Sequence, residues 1–592
     1  MCGINGFNFK DTVLIKAMNE KIKYRGPDSS GNLSFDKVTL GQVRLSIIDL
    51  SSKANQPMSY FHQGHKLHIT FNGEIYNYQE LKKELESKKY FFKTDSDTEV
   101  ILASYLAWGK DCVSKFKGMW AFCIYDQSSE ELFLSKDRFG KKPLYYYKDL
   151  NKFYFSSEMK TLIPFLFKKE IDKIALEQIF TYRFTFGERT ILKGVKNFLP
   201  GHNMVFDLKK KKVTLYEKYY SLKIKENKLS FDEAKVKLKE LLRESVGLRM
   251  VSDVPVASLL SGGLDSSIVT SLAKKLNPEL HTFSIGFDTT NELPYAKLVA
   301  DNLATKHHEI KMDKKSMLNY LDEMIYHMDE PIGADPGFLP IYVLSKEVSK
   351  FNKVVLSGDG ADEIFTGYDR YKLLEYGNKL KKFVFFKSKN PLLKILYNMK
   401  GKSYSESFLE ITRVFDKEDL DKLGLNERLP SIKAENLAEI QKFDVENLLP
   451  KDFFMKADKM SSGFGLEQRT PFIDYEVLEF AFSLPLEFKL KFWNEKRILK
   501  EAFKNEIPKE VYKRRKHGFN VPIDYWFENV LKDKLIKLIN TNKHGLYNQS
   551  YALELLKDLK GCKLNFKLRN VIAQKLWMIL VFEMWYERFM KS

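Results

Sequence analysis

The chain has 592 residues, too many for one hydrophobic core, and its length divides into two large units or about three to five smaller ones. The composition is 44% hydrophobic, 30% charged and 14% aromatic with 30 Gly and 18 Pro, which excludes collagen-like, disordered and disulfide-stapled classes. Lys and Arg number 97 against 78 Asp and Glu, a net charge of +19, yet the lysines are spread along the whole length, the pattern of a solvated surface and not of a nucleic-acid groove.

The four cysteines, Cys2, Cys112, Cys123 and Cys562, include no C-x-x-C pair and point to a reducing, cytoplasmic setting. The N-terminus lacks the basic patch and apolar run of a signal peptide. The apolar stretch 576–582 is far short of the roughly 20 residues a bilayer span needs, so no membrane association is expected.

In chain order, residues 1 to 215 read mainly as strands. The segments 66–77, 120–126, 131–137 and 143–149 are rich in β-branched and aromatic residues and are separated by turn clusters. Helical patterns interrupt them near 77–88 and 97–108, the second opening on Asp97-Thr-Glu. Strand runs with few helices predict an α+β layered unit. The lysine-rich, weakly patterned stretch 209–228 marks a boundary. Ser230-Phe-Asp-Glu233 then has the spacing of a capping box and precedes a helix with apolar Phe231, Ala234, Leu238, Leu241, Leu242 and Val246. Beyond it, short apolar strands at 254–260, 281–287 and 353–358 alternate with helical sequence, which predicts a parallel sheet covered on both faces. After residue 375 the pattern is largely helical.

Two places along the chain carry chemistry. Removal of Met1 leaves Cys2 with a free α-amine, and an amine titrating at about 7.7–8.0 can serve as base to a thiol of about 8.5. Attack on an amide also needs donors for the developing oxyanion, which Asn72-Gly73 offers as a side-chain amide and an uncovered backbone N–H. Arg44 is suited to clamp a carboxylate, and Asp97 or Glu74 to hold an ammonium. The second place is Ser261-Gly-Gly-Leu-Asp-Ser-Ser267, between a strand and a helix. There the glycines Gly262 and Gly263 bring backbone N–H groups onto phosphate oxygens, the serines add hydroxyls, and Asp265 is suited to Mg²⁺. The pattern is not G-x-x-x-x-G-K-[ST], so γ-phosphoryl transfer is not implied.

The motifs M-C-G-I-x-G, Y-R-G-P-D (24–28), R-L-S-I-I-D (44–49), F-N-G-E-I-Y-N (71–77), S-D-T-E (96–99), D-R-F-G-K-K-P-L-Y-Y (137–146) and F-S-S-E-M-K (155–160) resemble the class II glutamine amidotransferase domain. The resemblance implies an α+β N-terminal-nucleophile hydrolase fold over residues 1–215. Cys2 would be the nucleophile, Arg44, Ile47, Asn72, Gly73, Glu74 and Asp97 would bind glutamine, and Asn72 and Gly73 would form the oxyanion hole. The 261–267 loop resembles the PP-loop of ATP pyrophosphatases, which cut ATP between the α- and β-phosphates. It implies an α/β PP-loop domain over 230–592, with a parallel-sheet core to about 375 and a helical C-terminal region. Leu260, Ser261, Gly262, Gly263, Leu264, Asp265, Ser266, Ser267, Ile285, Ser357 and Gly358 would then contact ATP. Asp265 and Asp362 would hold Mg²⁺, Lys496 would steady the adenylated intermediate, and Asp359 would act as an acid or base. K-A-D-K-M-S (456–461) and E-Q-R-T-P-F-I-D (467–474) complete the signature, with Lys456 and Arg469 open to a purely structural reading.

In this order the two halves resemble the glutamine-hydrolysing asparagine synthetase family. The resemblance implies hydrolysis of glutamine at Cys2 and transfer of ammonia to an adenylated carboxylate, with AMP, pyrophosphate and glutamate as products. Aspartate is the expected acceptor. The 329–342 segment has a broad form, D-E-P-x-x-x-D-P-x-x-x-P-x-Y, also found in relatives thought to amidate acids such as the uronic acids of surface polysaccharides, which keeps that alternative open. A PP-loop enzyme modifying tRNA fits the charge but leaves the first 215 residues unexplained, and a non-catalytic scaffold has no need of costly buried polar groups. The expected partners are therefore small molecules, with no nucleic acid and no membrane, and a homodimer is compatible with the reading.

Overall fold

The structure, a computed structural model, describes residues 1–287, 292–313, 315–333, 336–385, 391–514, 521–562 and 566–591. Its N-terminal part holds two six-stranded sheets. One runs in the order Val195–Asn197, Tyr145–Asp149, Lys152–Ser156, Gly3–Phe7, Val38–Arg44, Ser29–Phe35. The other runs Lys212–Lys218, His202–Asp207, Glu131–Lys136, Gly118–Asp126, His65–Ile75, Met58–His62. The paired strands are antiparallel. The sheets stack face to face, with the helix Thr12–Lys21 against the first and Asp97–Trp108 against the second. This is the four-layered α+β sandwich expected of an N-terminal-nucleophile hydrolase. Strand Gly3–Phe7 lies inside its sheet, between Lys152–Ser156 and Val38–Arg44, so the residue just before it is held by neighbours on both sides.

The lysine-rich, weakly patterned stretch read as a boundary carries an edge strand, Lys212–Lys218. Val213 and Leu215 turn inward among lysines that solvate the open edge, a common way to keep an edge strand from pairing with another chain. The capping box forms as predicted: Glu233 N donates to Ser230 Oγ at 3.3 Å and Ser230 N to Glu233 Oε2 at 2.8 Å. The helix Phe231–Arg249 buries Ala234, Leu238, Leu242 and Val246, one stripe at helical spacing.

A five-stranded parallel sheet follows, in the order Lys306–Met312, His281–Phe287, Val256–Leu259, Val354–Leu356, Glu467–Arg469. Val354 and Leu356 face one hydrophobic cluster and Val355 the other, so the sheet is buried on both faces and its inner strands read as unbroken apolar runs. Strand order reverses between Val256–Leu259 and Val354–Leu356, where ligands bind in open α/β sheets because the following loops part there. The outer strands Lys306–Met312 and Glu467–Arg469 escaped the sequence reading because neither is apolar. Both large clusters take residues from each half of the chain, so the two units share cores. Among the described residues no helix is long and apolar enough to cross a membrane. The apolar 576–582 run is instead buried within the helix Phe566–Met590.

Candidate functional site

Cys2 lies at the head of strand Gly3–Phe7, partly buried, with its Sγ 3.8 Å from Leu45 O. Burial pushes its thiol up. Met1 is buried between the two halves, and burial pushes its amine down to about 5 despite the pull of Glu467. The second sheet is stitched to the first beside this point: Gln42 Nε2 donates to Phe71 O at 3.1 Å, and Thr70 Oγ1 donates to Gly41 O at 3.0 Å. The next residue, Asn72, is fully buried, and among the described residues neither its Nδ2 nor its Oδ1 has a hydrogen-bond partner. A buried amide left unsatisfied costs on the order of 1–3 kcal/mol, a cost recovered when a ligand supplies the partner. Gly73 takes φ +154°, and a Cβ there would lie 2.1 Å from Met119 O, so only glycine fits.

Glu74 and Asp97 are both buried. Burial, then the neighbouring Glu467, raises Glu74 well above the usual range. Burial also pushes Asp97 up to about 6, against the hydrogen bond it accepts from Ile75 N at 2.9 Å. Arg44 is differently occupied. Its Nη1 donates to Ser51 O and Asn55 Oδ1, and its Nη2 to Ile48 O and Asp49 O, so the four Nη hydrogens shape the 48–55 loop and only the Nε–H is left for a substrate. Ile47 O accepts from Asp253 N at 3.0 Å, and Asp49 N donates to Asp253 Oδ2 at 2.7 Å, which ties this loop to the second half of the chain.

The second site opens at the reversal of the parallel sheet, as a cavity of about 580 Å³. Leu260, Ser261, Gly263, Leu264, Asp265, Ser266, Ile285, Ser357 and Gly358 line it; Gly262 and Ser267 do not. Gly262, at φ +71°, backs onto Ala296 N, which a Cβ would approach to 2.5 Å, and Ser267 Oγ donates to Gly263 O at 2.7 Å, so both shape the loop from behind. Gly358 lets the second loop close on the first: a Cβ there would meet Ser266 N at 2.7 Å. Lys496, left-handed at φ +51°, reaches Asp265 Oδ2 at 2.5 Å and Asp362 Oδ1 at 2.6 Å. Burial opposes its charge, but the two carboxylates hold its pKa above the ordinary lysine value. Two carboxylates converging on one point are hard oxygen donors of the kind that hold Mg²⁺ together with nucleotide phosphates. Gly367, unremarked in the sequence, makes the meeting possible, since its Cβ would lie 1.9 Å from Asp362 Oδ1 and 2.2 Å from Lys496 Cε.

Asp359 Oδ2 accepts from Ser357 Oγ at 2.9 Å and Gln468 Nε2 at 2.6 Å. Gln468 sits in the strand Glu467–Arg469, whose neighbours turn the other way. Glu467 pairs with Lys142 at 3.2 Å and with Arg469 at 2.9 Å, and Arg469 Nη2 lies 3.5 Å from Glu74 Oε1. Burial would raise Glu467, but Lys142 and Arg469 hold it near about 2. The segment 329–342 meets the cavity, among the described residues, through Gly337 and Ile341. Ala334 and Asp335 lie outside the described residues. Asp329 pairs with Lys459 at 2.6 Å and Glu330 accepts from Ile191 N at 2.9 Å, so both are spent on the interior.

Residues 237–587 match the family described as Asparagine synthase, and residues 1–220 the Glutamine amidotransferase domain. The glutamine-hydrolyzing asparagine synthetase 1 of Bacillus subtilis (strain 168) is 34% identical over 99% of this chain and 96% of its own length. Asparagine synthetase 3 of the same organism is 31% identical over 88% of this chain and 87% of its own. The glutamine-hydrolyzing asparagine synthetase B of Escherichia coli (strain K12) is 28% identical over 90% and 84%. With both halves matched in order and a relative aligned along nearly the whole length, this chain belongs to the asparagine synthase family.

Proposed function

We propose that the protein is a cytoplasmic, ATP-dependent amidotransferase that hydrolyses glutamine at Cys2 and uses the ammonia to convert aspartate to asparagine. The observation that carries this reading is the strand Glu467–Arg469: a side-chain period of two sends Glu467 and Arg469 toward Glu74 and Gln468 toward Asp359, so one short element touches both sites. With Met1 removed, the Cys2 amine takes the thiol proton as sulfur attacks the glutamine amide. The C–N bond breaks as that proton passes to the departing ammonia, and water then hydrolyses the thioester to glutamate and free thiol. Asn72 Nδ2 and Gly73 N–H donate to the oxyanion, while Asp97 and Glu74 hold the substrate ammonium. Arg44 acts mainly by fixing the 48–55 loop around the substrate.

At the second site the acceptor carboxylate attacks the α-phosphorus of ATP and pyrophosphate leaves. Asp265 and Asp362 would hold Mg²⁺, which supplies neutralising charge for that leaving group. Ser261, Ser266 and the backbone of Gly263 cradle phosphate oxygens. Lys496 supplies a fixed positive charge beside the acyl-adenylate, and Asp359 takes the proton from ammonia as the amide forms and AMP departs. Small molecules are the only partners this chemistry needs, and a homodimer is the assembly to look for in solution.

The test is incubation with ATP, Mg²⁺, glutamine and candidate carboxylates, following AMP, pyrophosphate and glutamate. Cys2→Ala is expected to lose the glutamine-dependent reaction and keep the ammonia-dependent one. ADP as the nucleotide product, or loss of both reactions in that variant, would contradict the reading.

A further inference from the structure

The synthetase cavity receives one cation from the other half of the chain. Arg183 closes the helix Lys173–Tyr182 in a left-handed conformation, φ +82°, a setting a residue with a β-carbon seldom takes. The loop it opens is seated on the synthetase half, where Lys451 Nζ donates to Thr185 Oγ1 at 3.2 Å and to Arg189 O at 3.1 Å. From there Arg183 lines the cavity with Tyr368, Phe453 and Lys456. Within this lining the Tyr368 and Phe453 rings lie 6.5 Å apart, and Lys456 Nζ stands 4.7 Å over Phe453. Ser261, Asp265 and Lys496 line the same cavity.

Several other cations of the cavity are committed: Lys496 to Asp265 and Asp362, Lys500 to Glu495 at 3.4 Å, Arg514 to Glu292 at 2.9 Å. The Arg183 guanidinium makes no hydrogen bond or ion pair among the described residues. It acts through space on Asp444, which already has Arg370 at 2.9 Å and the Tyr371 hydroxyl at 2.5 Å. A half-buried, unpaired guanidinium is a planar fork suited to an anion brought in by a ligand.

Building on the ligase reading above, we propose that Arg183 recognises a second anionic group on the acceptor, remote from the carboxyl that is adenylated. The acceptor class is then a short dianion such as an amino dicarboxylate, and not a monoanionic sugar acid.

The test uses the full-length enzyme with ammonium as nitrogen source, so that the glutaminase site is out of the assay. AMP and pyrophosphate are followed with aspartate, with aspartate 1-amide, which keeps the side-chain carboxyl and lacks the second anion, and with glucuronate. Arg183→Ala is expected to raise the KM for aspartate roughly 10- to 150-fold, to leave the KM for ATP within about twofold, and to erase the preference for aspartate over its 1-amide. Arg183→Lys keeps the charge without the fork and is expected to recover part of that preference. An unchanged preference in both variants, a rise confined to the KM for ATP, or wild-type turnover of glucuronate ahead of aspartate overturns the assignment of Arg183 and leaves the ligase reading standing. No acceptor-dependent AMP and pyrophosphate from the wild type with any of the three overturns both.

Discussion

Asn72 and Asp97 illustrate what burial does to single polar groups in the glutaminase pocket. Asn72 is an amide with neither end satisfied, and Asp97 is a carboxyl whose ionisation burial delays to about 6. An acid with a raised pKa is neutral below that value, so the proposed hold of Asp97 on the substrate ammonium weakens as pH falls through about 6. The KM for glutamine is therefore expected to rise on acidification while kcat changes less. In Asp97→Asn the KM should be high throughout and that step absent. Glutaminase assays from about pH 5 to 8 check this, and a flat wild-type KM would remove Asp97 from substrate binding.

At the scale of elements, the three-residue strand Glu467–Arg469 bears more than its length suggests. Its residues are charged or polar and fully or nearly buried, each held by a named partner, so the strand persists through ion pairs and not through apolar packing. Gln468 is a positioning residue: it donates to Asp359 at 2.6 Å and to Ser357 Oγ at 2.9 Å. Gln468→Ala is expected to lower the kcat of ammonia-dependent synthesis by roughly 10-fold or more, the worth of a hydrogen bond to a charged group. The KM for glutamine, read in the glutaminase assay, should stay near wild type. Equal losses at both sites would mean that the strand had unfolded.

At the scale of the whole molecule, the two halves are joined by a buried ionic network. Arg25 Nη1 meets Glu158 at 2.6 Å and Asp458 at 2.8 Å, while its Nε donates to Cys2 O at 3.0 Å, so the carbonyl of Cys2 is tied to the second half of the chain. Lys459 adds contacts to Glu158 and Asp329, and Lys160 to Glu158. Removing one member strands its partners without water. Arg25→Met is expected to cost about 3–5 kcal/mol in chemical denaturation. Adding Asp458→Leu should recover part of that, because the orphaned charge is then gone. No change in the denaturation midpoint on Arg25→Met would show that the network contributes nothing net.

The strands rich in aromatic and β-branched residues, the capping box at Ser230, the phosphate loop after an apolar strand and the motifs around Cys2 and Asn72 were all legible, because each depends on neighbours a few residues away in the chain. The strands Lys306–Met312 and Glu467–Arg469, the turning inward of Asp329 and Glu330, and the clearance that Gly367 leaves for Lys496 were not. Their partners lie tens to hundreds of residues distant, and a buried charge looks in sequence like any surface charge. Local periodicity and turn chemistry determined which elements form and what chemistry they carry. Only the packing of one half against the other decided which charged side chains are spent on the interior and which, like Arg183, line the cavity of the parallel sheet.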